Sequence, residues 1–176
     1  MNLPNKLTML RIIAIPVFIV VLMLDHRYTA TIIFILAAVT DMLDGHIARK
    51  YNLVSNFGKL MDPLADKLLV MAALVCLVEL GDVAGWAVVV ILAREFAVTG
   101  LRQVAVEQGI VIAAGKSGKI KTITQMIAIP LLLLNNWPFA YIGIPMDQIF
   151  WWIAVAMTII SGTEYFIKNK QLLSMN

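Results

Sequence analysis

Four aspartates in two closely spaced pairs are the residues of this sequence best suited to chemistry. Asp41 and Asp44 are three residues apart, and Asp62 and Asp66 are four apart. On helices, either spacing puts both members of a pair on one face. Carboxylates gathered in an apolar chain repel one another and lose hydration unless cations lie among them. The spacing therefore predicts a metal site.

The type of ligand predicts the type of ion. No cluster of His or Cys accompanies the four acids, and oxygen ligands alone favour Mg²⁺ or Mn²⁺, with Ca²⁺ as a further alternative. Four carboxylates balance the formal charge of two divalent ions. Because two such ions about 3.5–4 Å apart are the usual arrangement for in-line displacement at phosphorus, we expect two Mg²⁺ or Mn²⁺ ions per active site.

The rest of the chain is apolar enough to place this site in a membrane. Of its 176 residues 61% are hydrophobic, and the mean hydropathy is +0.87. Apolar runs of roughly 17–25 residues are long enough to cross a bilayer as helices. We expect an all-α, polytopic membrane protein that forms one domain over residues 1–176, with six helices in one bundle. The expected spans are 7–24, 29–48, 62–80, 86–107, 120–137 and 147–167.

Basic residues collect on alternate connections between these spans, which predicts the orientation. The positive-inside rule puts both termini and the basic connections in the cytoplasm, so the protein is expected in the cell membrane with its acids facing the cytosol. No nucleic-acid partner is expected. The basic residues concerned are Lys6, Arg11, Arg49, Lys50, Lys59, Lys116, Lys119, Lys121, Lys168 and Lys170.

Asp62 and Pro63 predict where the third helix begins. Asp is a favoured N-cap residue, and proline is favoured at the first helical position. We therefore expect the third helix to start at this pair, with Asp66 one turn inside it.

Small and basic residues follow the first acid pair. Gly45 and Ala48 would let a bulky ligand lie against the helix backbone, and Arg49 is placed to pair with a phosphate. The alternative is that Gly45 and Ala48 are small residues at a helix crossing. The residues alone leave both interpretations open.

The full pattern from Asp41 to Asp66, Asp-x2-Asp-Gly-x2-Ala-Arg-x8-Gly-x3-Asp-x3-Asp, resembles the signature of the CDP-alcohol phosphotransferase family at every specified position. Members are membrane enzymes with six spans, usually dimeric, that displace CMP from a CDP-linked lipid or alcohol with a second alcohol. The resemblance implies that Asp41, Asp44 and Asp62 ligate the metals, and that Asp66 is both a ligand and the general base. It implies a nucleotide site of Asn5, Thr8, Asp41, Asp44, Gly45, Ala48, Arg49 and Gly58, although Asn5 and Thr8 are equally suited to capping a helix.

Arginines in the fourth span indicate how the acceptor is bound. Arg94 and Arg102 are eight residues apart and hence roughly on one helix face. An arginine within the membrane is costly, so we expect both to face a polar cavity. Glu95 is the expected neutralising partner of one of them. The alternative is an Arg–Glu pair that only ties helices together.

A second basic segment, Gly115-Lys116-Ser-Gly118-Lys119-Ile-Lys121-Thr122, lies at the start of the fifth span. It is either an orientation signal and anchor to anionic lipid or a phosphate-holding turn at a helix N-terminus. Together with Arg94 and Arg102, the cations Lys116, Lys119 and Lys121 suit an acceptor that carries its own phosphate.

Motifs outside the signature resemble the family members that use sn-glycerol 3-phosphate. They are Asn2-Leu-Pro-Asn-Lys-Leu-Thr-x2-Arg11, Ala93-Arg-Glu-Phe96 and Gly118-Lys-Ile-Lys-Thr122. The resemblance implies a homodimer among membrane lipids that transfers the phosphatidyl group of CDP-diacylglycerol to the 1-hydroxyl of glycerol 3-phosphate and releases CMP. The alternatives are another acceptor (serine, inositol phosphate or phosphatidylglycerol) or, from another class, a divalent-metal transporter.

Overall fold

The computed structural model of the chain describes the backbone of residues 3–50, 56–113 and 115–173, and the side chains of residues 9–40, 65, 67–113 and 115–171. All regular elements in these ranges are helical, which confirms the all-α class. A 3₁₀ helix, Phe139–Ile142, separates the fifth and sixth α-helices. The α-helices are α1 (Leu3–Met23), α2 (Arg27–Lys50), α3 (Asn56–Glu79), α4 (Gly85–Glu107), α5 (Lys116–Leu133), α6 (Met146–Lys168) and the short α7 (Lys170–Leu173).

The helices belong to two compact units, Met1–Leu80 and Gly81–Asn176. In the first unit, α1 packs against both α2 and α3. Phe18 of α1 and Phe34 of α2 are fully buried, with ring centroids 6.1 Å apart. Leu74 and Leu77 of α3 are also fully buried. These apolar contacts hold the two helices that carry the acid pairs against a common partner.

In the second unit, α6 packs against both α4 and α5. Trp151 of α6 is 1% exposed, and Ile91 of α4 and Leu132 of α5 are equally well buried. Close packing of large side chains from three helices fixes their relative positions. The arginines of α4 and the basic start of α5 are thereby placed on a common scaffold.

One helix in the described part of the chain, α6, is long and apolar enough to cross a membrane. Met9–Met23 and Arg27–Thr40 are shorter apolar helical stretches. Charged side chains within α4 and α5, among them Arg94, Glu95 and Lys121, interrupt the apolar runs of those helices. The six predicted spans therefore correspond to six long helices, whereas their crossing of the membrane stays a prediction.

The predicted start of the third helix is wrong. Helix α3 begins at Asn56, six residues before Asp62, so Pro63 lies inside a continuous helix. An internal proline removes one backbone hydrogen bond and can bend a helix without ending it. This chain does the same elsewhere, with Pro16 inside α1 and Pro130 inside α5.

The fifth helix ends four residues earlier than predicted, at Leu133. Asn135 and Asn136 follow with φ of 50° and 62°, in the left-handed region that asparagine tolerates better than most residues. The Asn136 side chain then donates to the carbonyl of Ile144 (2.8 Å) and accepts from the amide of Asp147 (3.2 Å). Asn136 thus stops α5 and ties the loop to the first turn of α6.

We expect Leu74→Ala to lower the free energy of unfolding by about 2–5 kcal/mol, because it leaves a cavity at a fully buried position of α3. The adjacent Val75 is 56% exposed, so Val75→Ala is the matched control and should change stability by under about 1 kcal/mol. Unfolding by SDS titration in mixed micelles measures both. Equal losses in the two variants would contradict the assigned core.

Candidate active site

The structure places the signature residues on helices of the first unit. Helix α2 runs unbroken through the first acid pair and α3 through the second, so the predicted helical setting of both pairs is confirmed. Asn5 and Thr8 lie in α1. The side chains of all these predicted site residues lie outside the described part of the chain, namely Asn5, Thr8, Asp41, Asp44, Gly45, Ala48, Arg49, Gly58, Asp62 and Asp66.

The backbone and the donor types fit a divalent metal site. Asp41 and Asp44 belong to one uninterrupted helix, and Asp62 and Asp66 belong to another. At these spacings the backbone positions of each pair lie on one side of the helix. Carboxylate oxygen is the ligand that Mg²⁺ and Mn²⁺ prefer. All four residues belong to the same compact unit. The binding of two Mg²⁺ or Mn²⁺ ions by these residues stays a prediction.

A cavity of about 200 Å³ lies between α1 and α2, close in sequence to the first acid pair. Among the described residues its lining is mostly aliphatic, from residues such as Leu10, Ile33 and Leu36, and includes the charged Arg11. Arg11 is 2% exposed. Thr40, which also lines the cavity, immediately precedes Asp41. A buried guanidinium therefore lies in an apolar cavity that reaches the residue preceding the signature.

A second cavity, of about 260 Å³, lies within the second unit and is bordered by α4, α5 and α6. Arg94 and Arg102 both line it, as the sequence predicts for two arginines on one helix face. Gly115, Ser117 and Gly118 line it from the start of α5. We call this the cationic cavity. It brings together the fourth-span arginines and the glycine-containing turn.

Arg94 donates from Nη1 to Oε1 of Glu95 (2.9 Å), which confirms that Glu95 neutralises one of the arginines. Both residues belong to α4, so this pair does not itself tie two helices. The same Oε1 accepts from Nζ of Lys121 on α5, at 2.6 Å. Lys121 is buried, with a side chain 5% exposed. It is absent from the lining of the cationic cavity, so its described contact is with Glu95.

Arg102 is held by α6. Its Nε donates to the Tyr165 hydroxyl oxygen (2.9 Å), and its Cζ lies 5.4 Å from the centroid of the same ring. A hydrogen bond and a cation–π contact to one residue fix the direction of the guanidinium. Arg102 also lines the cavity, where a guanidinium has further N–H donors to offer a ligand.

Several residues of the cavity wall were not predicted as site residues, among them Ser117, Glu164 and Tyr165. The hydroxyl of Ser117 donates to Oε2 of Glu164, and Lys168 donates to Oε1 of the same carboxylate. Glu164 had a usable signal, because it is an ionisable residue inside an apolar span. Ser117 and Tyr165 had none, since their roles depend on how α4, α5 and α6 pack.

The lysines of the basic segment do not share one environment. Lys116 and Lys119 are at the start of α5 and do not line the cationic cavity, whereas Lys121 is buried against Glu95. Helix α5 begins at Lys116 behind Gly115, which makes no side-chain cap. The amides of its first turn therefore lie beside the cavity, where a helix N-terminus favours an anion.

Comparison with known proteins reveals several relatives of matching length. A CDP-diacylglycerol–glycerol-3-phosphate 3-phosphatidyltransferase of Bacillus subtilis (strain 168) is 47% identical, with 98% of this chain and 97% of the relative aligned. A protein of the same name from Rickettsia bellii is 43% identical over 94% of this chain and 93% of its own length. A probable phosphatidylglycerophosphate synthase of Mycobacterium tuberculosis is 39% identical over 93% of this chain and 79% of its own length.

The sequence model of one family, CDP-alcohol phosphatidyltransferase, matches residues 1–160. This range contains the signature from Asp41 to Asp66 as well as the arginines and lysines of α4 and α5. The resemblance inferred from the motifs is thereby confirmed, and the chain belongs to the CDP-alcohol phosphatidyltransferase family.

Proposed function

We propose that this protein transfers the phosphatidyl group of CDP-diacylglycerol to the 1-hydroxyl of sn-glycerol 3-phosphate, giving phosphatidylglycerophosphate and CMP. The observation that carries the proposal is nearly full-length similarity to relatives named for this reaction. The cationic cavity supports it, because two arginines and a helix N-terminus suit an acceptor that carries a phosphate.

The four aspartates take the roles that the family signature implies. Asp41, Asp44, Asp62 and Asp66 hold two Mg²⁺ or Mn²⁺ ions. When bound, these ions neutralise the diphosphate and make the attacking hydroxyl more acidic. Asp66 removes the proton of that hydroxyl, a reasonable task for a weak base once the hydroxyl is acidified.

The donor substrate is bound by residues of the first unit. Gly45, Ala48, Arg49 and Gly58 line the nucleotide site, with Asn5 and Thr8 of α1 reaching the same ligand. Arg11, whose buried side chain lines the cavity between α1 and α2, lies on the same helix as Asn5 and Thr8.

The acceptor phosphate is bound in the cationic cavity by Arg94, Arg102 and the first-turn amides of α5. Arg102 is directed by Tyr165 and Arg94 by Glu95, so both guanidinium groups are oriented before the ligand arrives. Preorganised charge binds a dianion without the cost of ordering long side chains. Lys116 and Lys119 extend the positive surface at the start of α5.

The protein acts in the cell membrane as a homodimer, with six spans, both termini in the cytoplasm and the site facing the cytosol. The alternation of basic connections supports the orientation, and the family resemblance supports the dimer. A soluble acceptor and a lipid-anchored donor then meet at the cytoplasmic surface, where α2 and α3 carry the acids.

A transfer assay decides the acceptor. Purified protein with CDP-diacylglycerol and radiolabelled glycerol 3-phosphate should yield a lipid with the mass of phosphatidylglycerophosphate, together with one CMP per lipid. Serine, offered in parallel, should react at less than about 1% of that rate, because it has no phosphate and leaves the donors of the site unpaired. Inositol phosphate and phosphatidylglycerol carry a phosphate on a much larger group, and we expect both to react more slowly than glycerol 3-phosphate. Faster reaction with any of the three would overturn the assigned acceptor.

Asp66→Asn should lower kcat by at least about 10²-fold, because the amide cannot accept the hydroxyl proton at neutral pH. Asp25→Asn is the matched control: Asp25 is an exposed turn residue with φ of 62°, a conformation that asparagine tolerates. It should retain full activity. Appreciable turnover by Asp66→Asn, with unchanged thermal unfolding, would remove Asp66 as the base.

Removal of divalent cations should stop transfer. Excess EDTA is expected to abolish CMP release, and Mg²⁺ or Mn²⁺ added beyond the chelator should restore it, whereas Zn²⁺ should restore it poorly because the ligands are hard carboxylates. Full activity after exhaustive chelation would contradict the metal-assisted reaction. Metal flux into proteoliposomes without nucleotide would instead favour a transporter.

A further inference from the structure

Arg94 shares its carboxylate partner with a buried lysine from another helix. Nη1 of Arg94 lies 2.9 Å from Oε1 of Glu95, and Nζ of Lys121 lies 2.6 Å from the same oxygen. Arg94 lines the cationic cavity, whereas Lys121 and Glu95 do not. Lys121 is therefore placed to act on a ligand in the cavity through Glu95 and Arg94.

The charges of these three residues explain why the lysine matters. Glu95 supplies one negative charge to two cations, so Arg94 shares its carboxylate partner with Lys121. Without Lys121 the Glu95 carboxylate would interact with Arg94 alone, and the Arg94–Glu95 pair would be formally neutral. Because these groups are largely buried, water screens the difference only weakly.

Arg94 is also confined by α6 and by the start of α5. A Cβ added at Gly162 would lie 3.1 Å from Cγ of Arg94, and one added at Gly118 would lie 3.4 Å from Nη2. The absence of these side chains leaves the space through which the arginine extends. Its Nε is buried and has no hydrogen-bond partner among the described residues.

We propose that Lys121 and Gly162 are positioning residues for the acceptor phosphate. Lys121 holds Glu95 and thereby sets the charge and direction of Arg94, and Gly162 provides the space that the Arg94 side chain occupies. Neither residue contacts the phosphate. The inference rests on the proposed function and replaces direct phosphate binding by Lys121 with an indirect role.

Kinetics of the full-length protein in detergent–lipid micelles test this inference. Arg94→Ala and Lys121→Met should each raise the KM for glycerol 3-phosphate about tenfold, with kcat and the KM for CDP-diacylglycerol changed less than about threefold. The double variant should match Arg94→Ala alone, because Lys121 acts only through Arg94. Lys121→Arg keeps a positive charge beside Glu95, so its KM for glycerol 3-phosphate should stay close to that of the unaltered protein.

Gly162→Ala tests the same idea without changing any charge. It should raise the KM for glycerol 3-phosphate about threefold when Arg94 is present and have no effect in the Arg94→Ala protein. Gly100→Ala, on α4, is the control, since an added Cβ there meets nothing within 4 Å. It should leave the KM unchanged.

The outcomes separate the inference from the proposed function. If the fold increases in KM caused by Lys121→Met and Arg94→Ala multiply in the double variant, Lys121 binds the phosphate directly. That result would overturn the inference while the proposed function stands. Equal effects of Gly162→Ala with and without Arg94 would likewise overturn the inference alone. An unchanged KM in Arg94→Ala would remove Arg94 from the acceptor site and overturn the inference, whereas the proposed function would be overturned only by the transfer assay.

Discussion

The carboxylate of Glu95 is shared between Arg94 on its own helix and Lys121 on α5, and the second unit depends on this contact. A buried arginine or lysine without such a partner would be strongly destabilising. One carboxylate is a partner to both cations, and one of them, Arg94, lines a cavity. Helices that must be apolar can therefore carry a binding site for an anion, because the charges stabilise one another before any ligand arrives.

The same principle explains which contacts were predictable. Arg94 and Glu95 are neighbours in sequence, so their pairing follows from the cost of burying an arginine. Lys121 lies 26 residues away from Glu95 and Tyr165 lies 63 residues away from Arg102, so those contacts depend on the packing of α4, α5 and α6. The sequence analysis therefore identified Arg94 and Arg102 by type, but grouped the buried Lys121 with Lys116 and Lys119, which lie outside the ion pair.

Hydrophobic runs predicted the long helices well, and their ends less well. The start of α3 was misplaced because an Asp-Pro pair matches a helix start as well as an internal proline. The end of α5 was misplaced because the apolar run continues past Leu133, where two asparagines in the left-handed conformation stop the helix. In both cases backbone geometry decided the boundary, and hydropathy carries no information about it.

Reaction chemistry and acceptor binding are assigned to different parts of the chain. The family signature lies entirely within Met1–Leu80, whereas the described residues that line the cationic cavity belong to Gly81–Asn176. Each unit has its own buried core, Phe18 and Phe34 in one and Ile91 and Trp151 in the other. On the proposed function, the residues around Arg94 select the acceptor and the four acids carry out the transfer, which explains why the signature alone indicates the reaction class and not the acceptor.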